Sequence, residues 1–353
     1  MPHTTPKVEL RTSPHIRRAP TVEAIMRNVV YALLPICLFA VYQFGISALA
    51  LIGVVVATCL ATERFFNWMA AKPSTLSDYS ATITGLLLAL TLPPAFPLWM
   101  GAVAGFVAIA LGKALFGGIG FNVFNPALVG RAFVQAAFPV AISTWTPAGA
   151  SGRFAEFIPS SLTLPFMTPV PVDEWIKQAG VDTYTGATPL ALEKFQHIHT
   201  SAIDLFTGMT AGSAGETSAL LILACGAYLA VRRMMDWRIP AAMLLAAFIT
   251  ATAFHLADPK YPDGLFMLFS GGLMLGALFM ATDMVASPVT PLGVWIYGAL
   301  MGVLTIIIRL FGGLPEGVMY AILLGNAVSP LIESLTQPRI YGEQKKRPEA
   351  ASS

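Results

Sequence analysis

Ten stretches of this chain, near residues 27–44, 46–62, 79–93, 98–116, 121–139, 217–233, 239–256, 265–282, 291–311 and 316–335, are mainly apolar. Most approach the roughly 17–25 residues that an α-helix needs to cross a bilayer. In hydrocarbon a backbone must satisfy its own hydrogen bonds, which leaves helices as the structure open to runs of this length. Composition agrees. Hydrophobic residues make up 56% of the 353, only 11% are charged, and mean hydropathy is +0.69; soluble domains carry about 25% charged residues. The reading is an all-α polytopic membrane protein with about ten transmembrane helices. The first run is long for a signal-peptide core and no small-residue cleavage site follows it, so it reads as a retained span.

One long interval, 140–216, is not apolar, and ordered loops of that length usually carry function. The chain therefore divides into an N-terminal segment 1–26, five helices over 27–139, the loop 140–216, five helices over 217–335, and a tail 336–353. Placing both termini in the cytoplasm puts 15 of the 21 basic residues on that side and only Arg153, Lys177, Lys194 and Lys260 outside. The loop then lies outside, periplasmic if the membrane is a bacterial inner membrane. A repeat is also visible. Gly117-Gly118 precede a run with Gly130 and Ala132, and Gly312-Gly313 precede one with Gly325 and Ala327 at the same spacing. Five spans repeated once must be inverted, a recurring membrane architecture.

Several chemistries are disfavoured. No basic patch is interleaved with aromatics, so nucleic acid is not an expected partner. Cys37, Cys59 and Cys225 lie in apolar runs with no C-x-x-C, too few for an iron–sulfur cluster held by this chain alone. Only His255 of five histidines falls in an apolar run, which argues against a bis-histidine haem. No metal site and no side-chain catalyst are expected.

The most informative segment is Asp182-Thr183-Tyr184-Thr185-Gly186-Ala187-Thr188-Pro189-Leu190. Small residues present a threonine hydroxyl, Pro189 biases Thr188 toward extended backbone, and a short helix fits 189–199. By residue physics alone a polar surface turn is the commoner outcome. The pattern Asp182-x-x-Thr185-Gly186-Ala187-Thr188 nevertheless matches the flavinylation motif D-x-x-[S/T]-G-A-T. A chance match in a chain this long is on the order of one in a thousand.

Two further stretches carry the same resemblance: Ser80-Ala81-Thr82-Ile83-Thr84-Gly85-Leu86-Leu87, and Gly120-Phe121-Asn122-Val123-Phe124-Asn125-Pro126-Ala127-Leu128-Val129-Gly130-Arg131-Ala132-Phe133. From about Val22 to Pro338 the chain resembles the NqrB/RnfD family of membrane electron-transfer subunits. The short segment before the first span favours the Rnf branch, ferredoxin–NAD⁺ oxidoreductases coupled to Na⁺ or H⁺ translocation, over the sodium-pumping NADH–quinone reductase branch. The resemblance implies FMN joined through its phosphate to Thr188 by a flavin transferase, with Asp182, Thr185, Gly186 and Ala187 as the recognition pattern. It also implies a non-covalent riboflavin between the spans, and partner subunits that include an outward-facing FMN protein and iron–sulfur proteins. Asn122 and Asn125 are the riboflavin candidates, set three residues apart as on one helix face; helix capping is the plain alternative.

Arg131 and Asp283 are costly in or beside a bilayer and are candidates for the flavin sites by that cost. Arg309 and Lys113, nearer run ends, are expected to snorkel. Two other classes fit the hydropathy pattern: a solute channel or transporter with inverted repeats, and a structural anchor for partner subunits. Neither accounts for the flavinylation motif.

Overall fold

The computed structural model describes residues 21–338 except 166, 170–187, 197–199, 209–211 and 217. The described residues are helical or irregular, with no strand among them. Helix α1 (Val22–Phe44) turns at Gly45 into α2 (Ile46–Met69), which packs mainly against α3 (Ser80–Leu90) and α4 (Leu98–Ile109), the latter continuing into a π turn over Ala110–Ala114. Helix α5 (Pro126–Ala137) and a single turn, α6 (Pro139–Ile142), close the first half. The interval after them holds α7 (Pro189–Gln196) and α8 (Ala202–Thr207). The second half contains α9 (Ala219–Val231), α10 (Arg238–Ala257), α11 (Gly264–Phe269), α12 (Leu273–Leu275) with a π turn over Gly276–Met280, α13 (Pro291–Phe311) and α14 (Val318–Thr336).

Each of the ten expected positions is helical, but the helices differ in kind. By length and composition α1, α2, α10, α13 and α14 are able to cross a membrane, while α3, α4 with its extension, and α9 are shorter apolar helices. The run at 121–139 gives a helix only from Pro126, because Asn125 caps it and Pro126 occupies the first turn, where a missing N–H is no loss. The run at 265–282 is broken at Ser270-Gly271-Gly272.

Local chemistry explains the boundaries. Thr290 caps α13 by accepting from Gly293 N at 3.2 Å, with Pro291 beside it, and Ser218 caps α9. The α1–α2 turn depends on Gly45 at φ +72°, where the Ile46 N–H donates to Arg153 O at 3.0 Å. A Cβ on Gly45 would collide with that Arg153 carbonyl. The interval that follows α6 is thereby laced to the bundle through its backbone.

Helix pairs pack through small residues in both halves. Gly101 and Gly105 of α4 face Leu51, Val55 and Cys59 of α2. Gly298 and Gly302 of α13 face Ala242, Met243 and Ala247 of α10 in the same way. Such small-x-x-x-small faces let helix backbones approach closely in a bilayer. A Cβ at Gly302 would strike the Met243 carbonyl oxygen, whereas one at the exposed Gly53 would meet nothing. Gly302→Ala is therefore expected to cost about 1–3 kcal/mol, and Gly53→Ala almost nothing. Thermal melting of the detergent-solubilised variants reads the difference, and equal melting of the two would contradict this packing.

Candidate functional site

The bundle has two ends with distinct polar chemistry. Trp237 and Trp295 meet where α10 and α13 begin, and Phe254 and Phe311 meet where both finish, so these helices run parallel. At 20 residues, α10 separates the ends by roughly 30 Å.

A pocket of about 820 Å³, open mouth included, lies at the starting end. Its lining is mostly apolar, with Asn122, Asn125, Asp283, Thr84, Thr282, Ser80 and Lys113 as the polar groups. Both π turns contribute, Lys113 from the first and Leu278 and Phe279 from the second. Such turns concentrate at functional sites because they re-aim side chains within a helix.

The two asparagines play different parts. Asn125 Oδ1 accepts from Ala127 N at 3.0 Å and its Nδ2 donates to Met280 O at 3.2 Å. It caps α5 and staples that cap to the second π turn. Asn122 makes only long contacts, donating to Asp283 Oδ2 and Phe124 O at 3.4 Å each, although it is 6% exposed. Both precede α5, so the helix-face argument is corrected: turn geometry, not helical spacing, brings them together. Asp283 joins them, with its Oδ1 accepting from Val285 N.

Lys113 is buried at the same pocket. Its Nζ donates to Glu63 Oε1 at 2.7 Å and to Ser80 Oγ at 2.5 Å, and Thr75 Oγ1 donates to the same Glu63 oxygen. Snorkelling is thereby corrected, because a carboxylate from α2 and the start of α3 satisfy the ammonium inside the fold.

At the other end Thr188 sits immediately before α7. Its hydroxyl accepts from Ala191 N at 3.3 Å and its carbonyl from Leu192 N at 2.9 Å, so it caps the helix. Pro189 occupies the first turn. Lys194 fastens α7 to the end of α13, with Nζ donating to the carbonyls of Arg309, Gly312 and Leu314 at 2.7, 2.5 and 3.1 Å. A second pocket, about 740 Å³ with its mouth, opens there between Leu190, Glu193, Lys260, Tyr261 and Arg309. Thr188 itself is 6% exposed. Asp182, Thr185, Gly186 and Ala187 lie outside the described residues.

Between the two ends is a buried ionic network. Arg131 Nη1 meets Glu216 Oε1 at 3.0 Å and Nη2 meets Glu316 Oε2 at 2.7 Å. Ser213 Oγ donates to Glu216 Oε2 at 2.7 Å. Arg309, 1% exposed, donates to the carbonyls of Met267 and Ser270 at 2.6 and 2.9 Å. It does not snorkel either: the break in the eighth run frees carbonyls that the guanidinium captures. Two glycines make the cradle. A Cβ on Gly271, at φ +61°, would stand 2.5 Å from Glu316 Oε1, and one on Gly272 would stand 2.5 Å from Glu216 Oε1. The Gly272 N–H itself donates to Glu316 Oε1 at 3.1 Å. Arg131 therefore belongs to an ion network and stands apart from Asn122, Asn125 and Asp283.

Sequence reasoning singled out neither Glu216 nor Glu316. A signal was present, since each is a lone carboxylate next to glycine at the head of an apolar run. Among the described residues no group of three or more His, Cys, Asp or Glu side chains is placed to hold a metal ion.

Against known proteins, the model of the NQR2, RnfD, RnfE family matches residues 9–342. The chain is 42% identical over 343 residues to the D subunit of the Na⁺-translocating ferredoxin:NAD⁺ oxidoreductase complex of Acetobacterium woodii, covering 96% of each. It is 39% identical over 348 residues to the D subunit of the proton-translocating ferredoxin:NAD⁺ oxidoreductase complex of Clostridium ljungdahlii, covering 95% of this chain and 96% of that one. It is 37% identical over 347 residues to the D subunit of the ion-translocating oxidoreductase complex of Halorhodospira halophila, covering 96% of each. On a match that runs almost from end to end, the chain belongs to the NQR2, RnfD, RnfE family.

Proposed function

We propose that this chain is the D subunit of an ion-translocating ferredoxin–NAD⁺ oxidoreductase, carrying FMN through a phosphoester on Thr188 and a non-covalent riboflavin beside Asn122. The relatives' names support the complex. The observation that supports the cofactor is the position of Thr188 as cap of α7. A phosphate esterified to that oxygen stands at a helix N-terminus, where unpaired N–H groups and the helix dipole favour an anion. A pocket that begins two residues on, at Leu190, carries Lys194, Lys260 and Arg309 in its lining, cations that suit a neighbouring phosphate.

At the starting end the donor set also suits a flavin edge. An amide offers both a donor and an acceptor, and Asn122 has only two long contacts to lose. When bound, a flavin supplies one- and two-electron chemistry. The chain's own residues hold and orient. Lys194 fixes α7, Arg309 and the carboxylates fix the broken helix under it, and Asn125 fixes the second π turn against α5. Partners of this reading are an outward-facing FMN subunit, iron–sulfur subunits and a flavin transferase. The ten-span topology with inverted halves is part of it, supported by the mirrored glycine packing of α2–α4 and α10–α13.

Replacing Thr188 with Val removes the oxygen and keeps the shape. It should abolish the fluorescent band on a denaturing gel and the FMN mass on the tryptic peptide, while losing a cap worth about 1 kcal/mol. Thr188→Asn keeps a cap without an esterifiable hydroxyl and controls for helix loss. An unmodified wild-type peptide from cells that contain the transferase would sink the proposal.

Asn122→Leu should release acid-extractable riboflavin and stop electron transfer beyond the FMN, leaving the FMN on Thr188 in place. Stoichiometric riboflavin with full turnover in that variant would make Asn122 structural.

Reporter fusions at Gln178 and at the C-terminus should report opposite sides of a bacterial inner membrane, with the C-terminus cytoplasmic. Reports from one side would contradict the span count or the orientation.

A further inference from the structure

The ionic network offers more than a structural bond. Its charges balance, two guanidinium groups against two carboxylates, but its contacts do not. Arg131 serves both carboxylates, while Arg309 is spent on the carbonyls of Met267 and Ser270. The groups facing Glu216 are Arg131 on α5, Glu316 ahead of α14, Ser213 in its own turn and, beyond them, Arg309 at the end of α13. Burial first, and the facing Glu316 carboxylate second, push Glu216 up to about 7 despite Arg131. Near neutral pH it stands where a small change in nearby charge decides whether it holds a proton.

The network also lies between the two proposed redox sites. Arg131 is six residues past Asn125, about 9 Å along the α5 axis. On the other side Leu190 Cδ1, two residues from Thr188, and Glu316 Oε1 approach the same point over Gly271 at 2.6 and 2.5 Å. The Glu316 side chain keeps 16% exposure against 4% for Glu216, so Glu316 is the more open of the two.

We propose that Glu216 is a proton-exchange site of this protein, taking up a proton through Glu316 from the Thr188 end when an electron arrives at the neighbouring flavin, and returning it when the electron leaves. The step balances. One electron enters from the reduced partner protein, one proton enters from solvent, and a single O–H bond forms on the Glu216 carboxylate. On oxidation both leave. The inference rests on the proposed flavin sites.

The test is a redox titration of the flavins in the purified holo-complex, at pH values on either side of neutrality. A one-electron couple tied to one proton moves by 59 mV per pH unit, because that shift is a tenfold change in equilibrium. In the wild type one flavin should show this slope around neutrality. In Glu216→Gln the part of the slope owed to the carboxylate should be lost, leaving only what the isoalloxazine ring nitrogens take up themselves, with flavin content unchanged. Redox-difference infrared spectra should show a carboxylic C=O band on reduction, present in the wild type and in the exposed-site control Glu156→Gln, absent in Glu216→Gln. If Glu216→Gln does not assemble, Ser213→Ala serves. It removes one hydrogen bond to the carboxylate and should move the onset of the slope to higher pH. A wild type with flavins but no pH slope, or a slope and band untouched by these variants, overturns the proton site and leaves the flavin reading standing. A wild type without flavin overturns both.

Discussion

A backbone that stops being helical inside an apolar bundle has to find partners for the groups it releases, and that constraint shapes the centre of this protein. The break at Ser270-Gly271-Gly272 separates the C-terminus of α11 from the N-terminus of α12. The first end carries partial negative charge and the second partial positive charge. Each meets its complement. Arg309 takes the carbonyls of Met267 and Ser270, and Glu316 takes the N–H of Gly272. Those side chains in turn need partners, which Arg131 and Glu216 supply. Removing one member of such a buried pair strands the other at a cost of about 3–5 kcal/mol.

The same logic operates at the opposite end with weaker groups. Two π turns widen α4 and the segment after α12, and the pocket between them is closed by an amide stapled to a carbonyl. Lys113 and Glu63 are paired below it. Asn122 is the polar side chain left with the loosest contacts, which makes it the natural place for an external ligand to compete.

Much of this could be read in advance, and the remainder fails for one reason. Apolar runs located all ten helical positions, since burial and length act locally. Asn122, Asn125 and Asp283 were each singled out, the asparagines by spacing and Asp283 by the cost of a charge at a bilayer, but that they share one pocket is seen only in the fold. The α7 helix after Thr188 was visible in Pro189 and the small-residue turn. By contrast Arg309 and Lys113 were expected at the surface and are buried, because their partners come from distant parts of the chain: Ser270 and Met267 for one, Glu63 and Ser80 for the other. Glu216 and Glu316 were passed over for the same cause. Periodicity reports which residues are buried, while pairing across 85 or 185 residues leaves no local trace.

The glycine faces of α4 and α13 have a mechanical consequence. With backbones in contact at Gly101, Gly105, Gly298 and Gly302, the pairs α2–α4 and α10–α13 have no slack in which to slide. Each behaves as a stiff beam, and any working motion is left to the seam where the beams' neighbours meet, α1 against α9 and α5 against α14. Among the described residues, the ion pairs that cross this seam are those of Arg131. Arg131 thus bolts the two frames together beside the lighter staples of Asn125 on Met280 and Tyr228 on Asn28, and a stroke that parts the frames must draw the guanidinium as well as those hydrogen bonds.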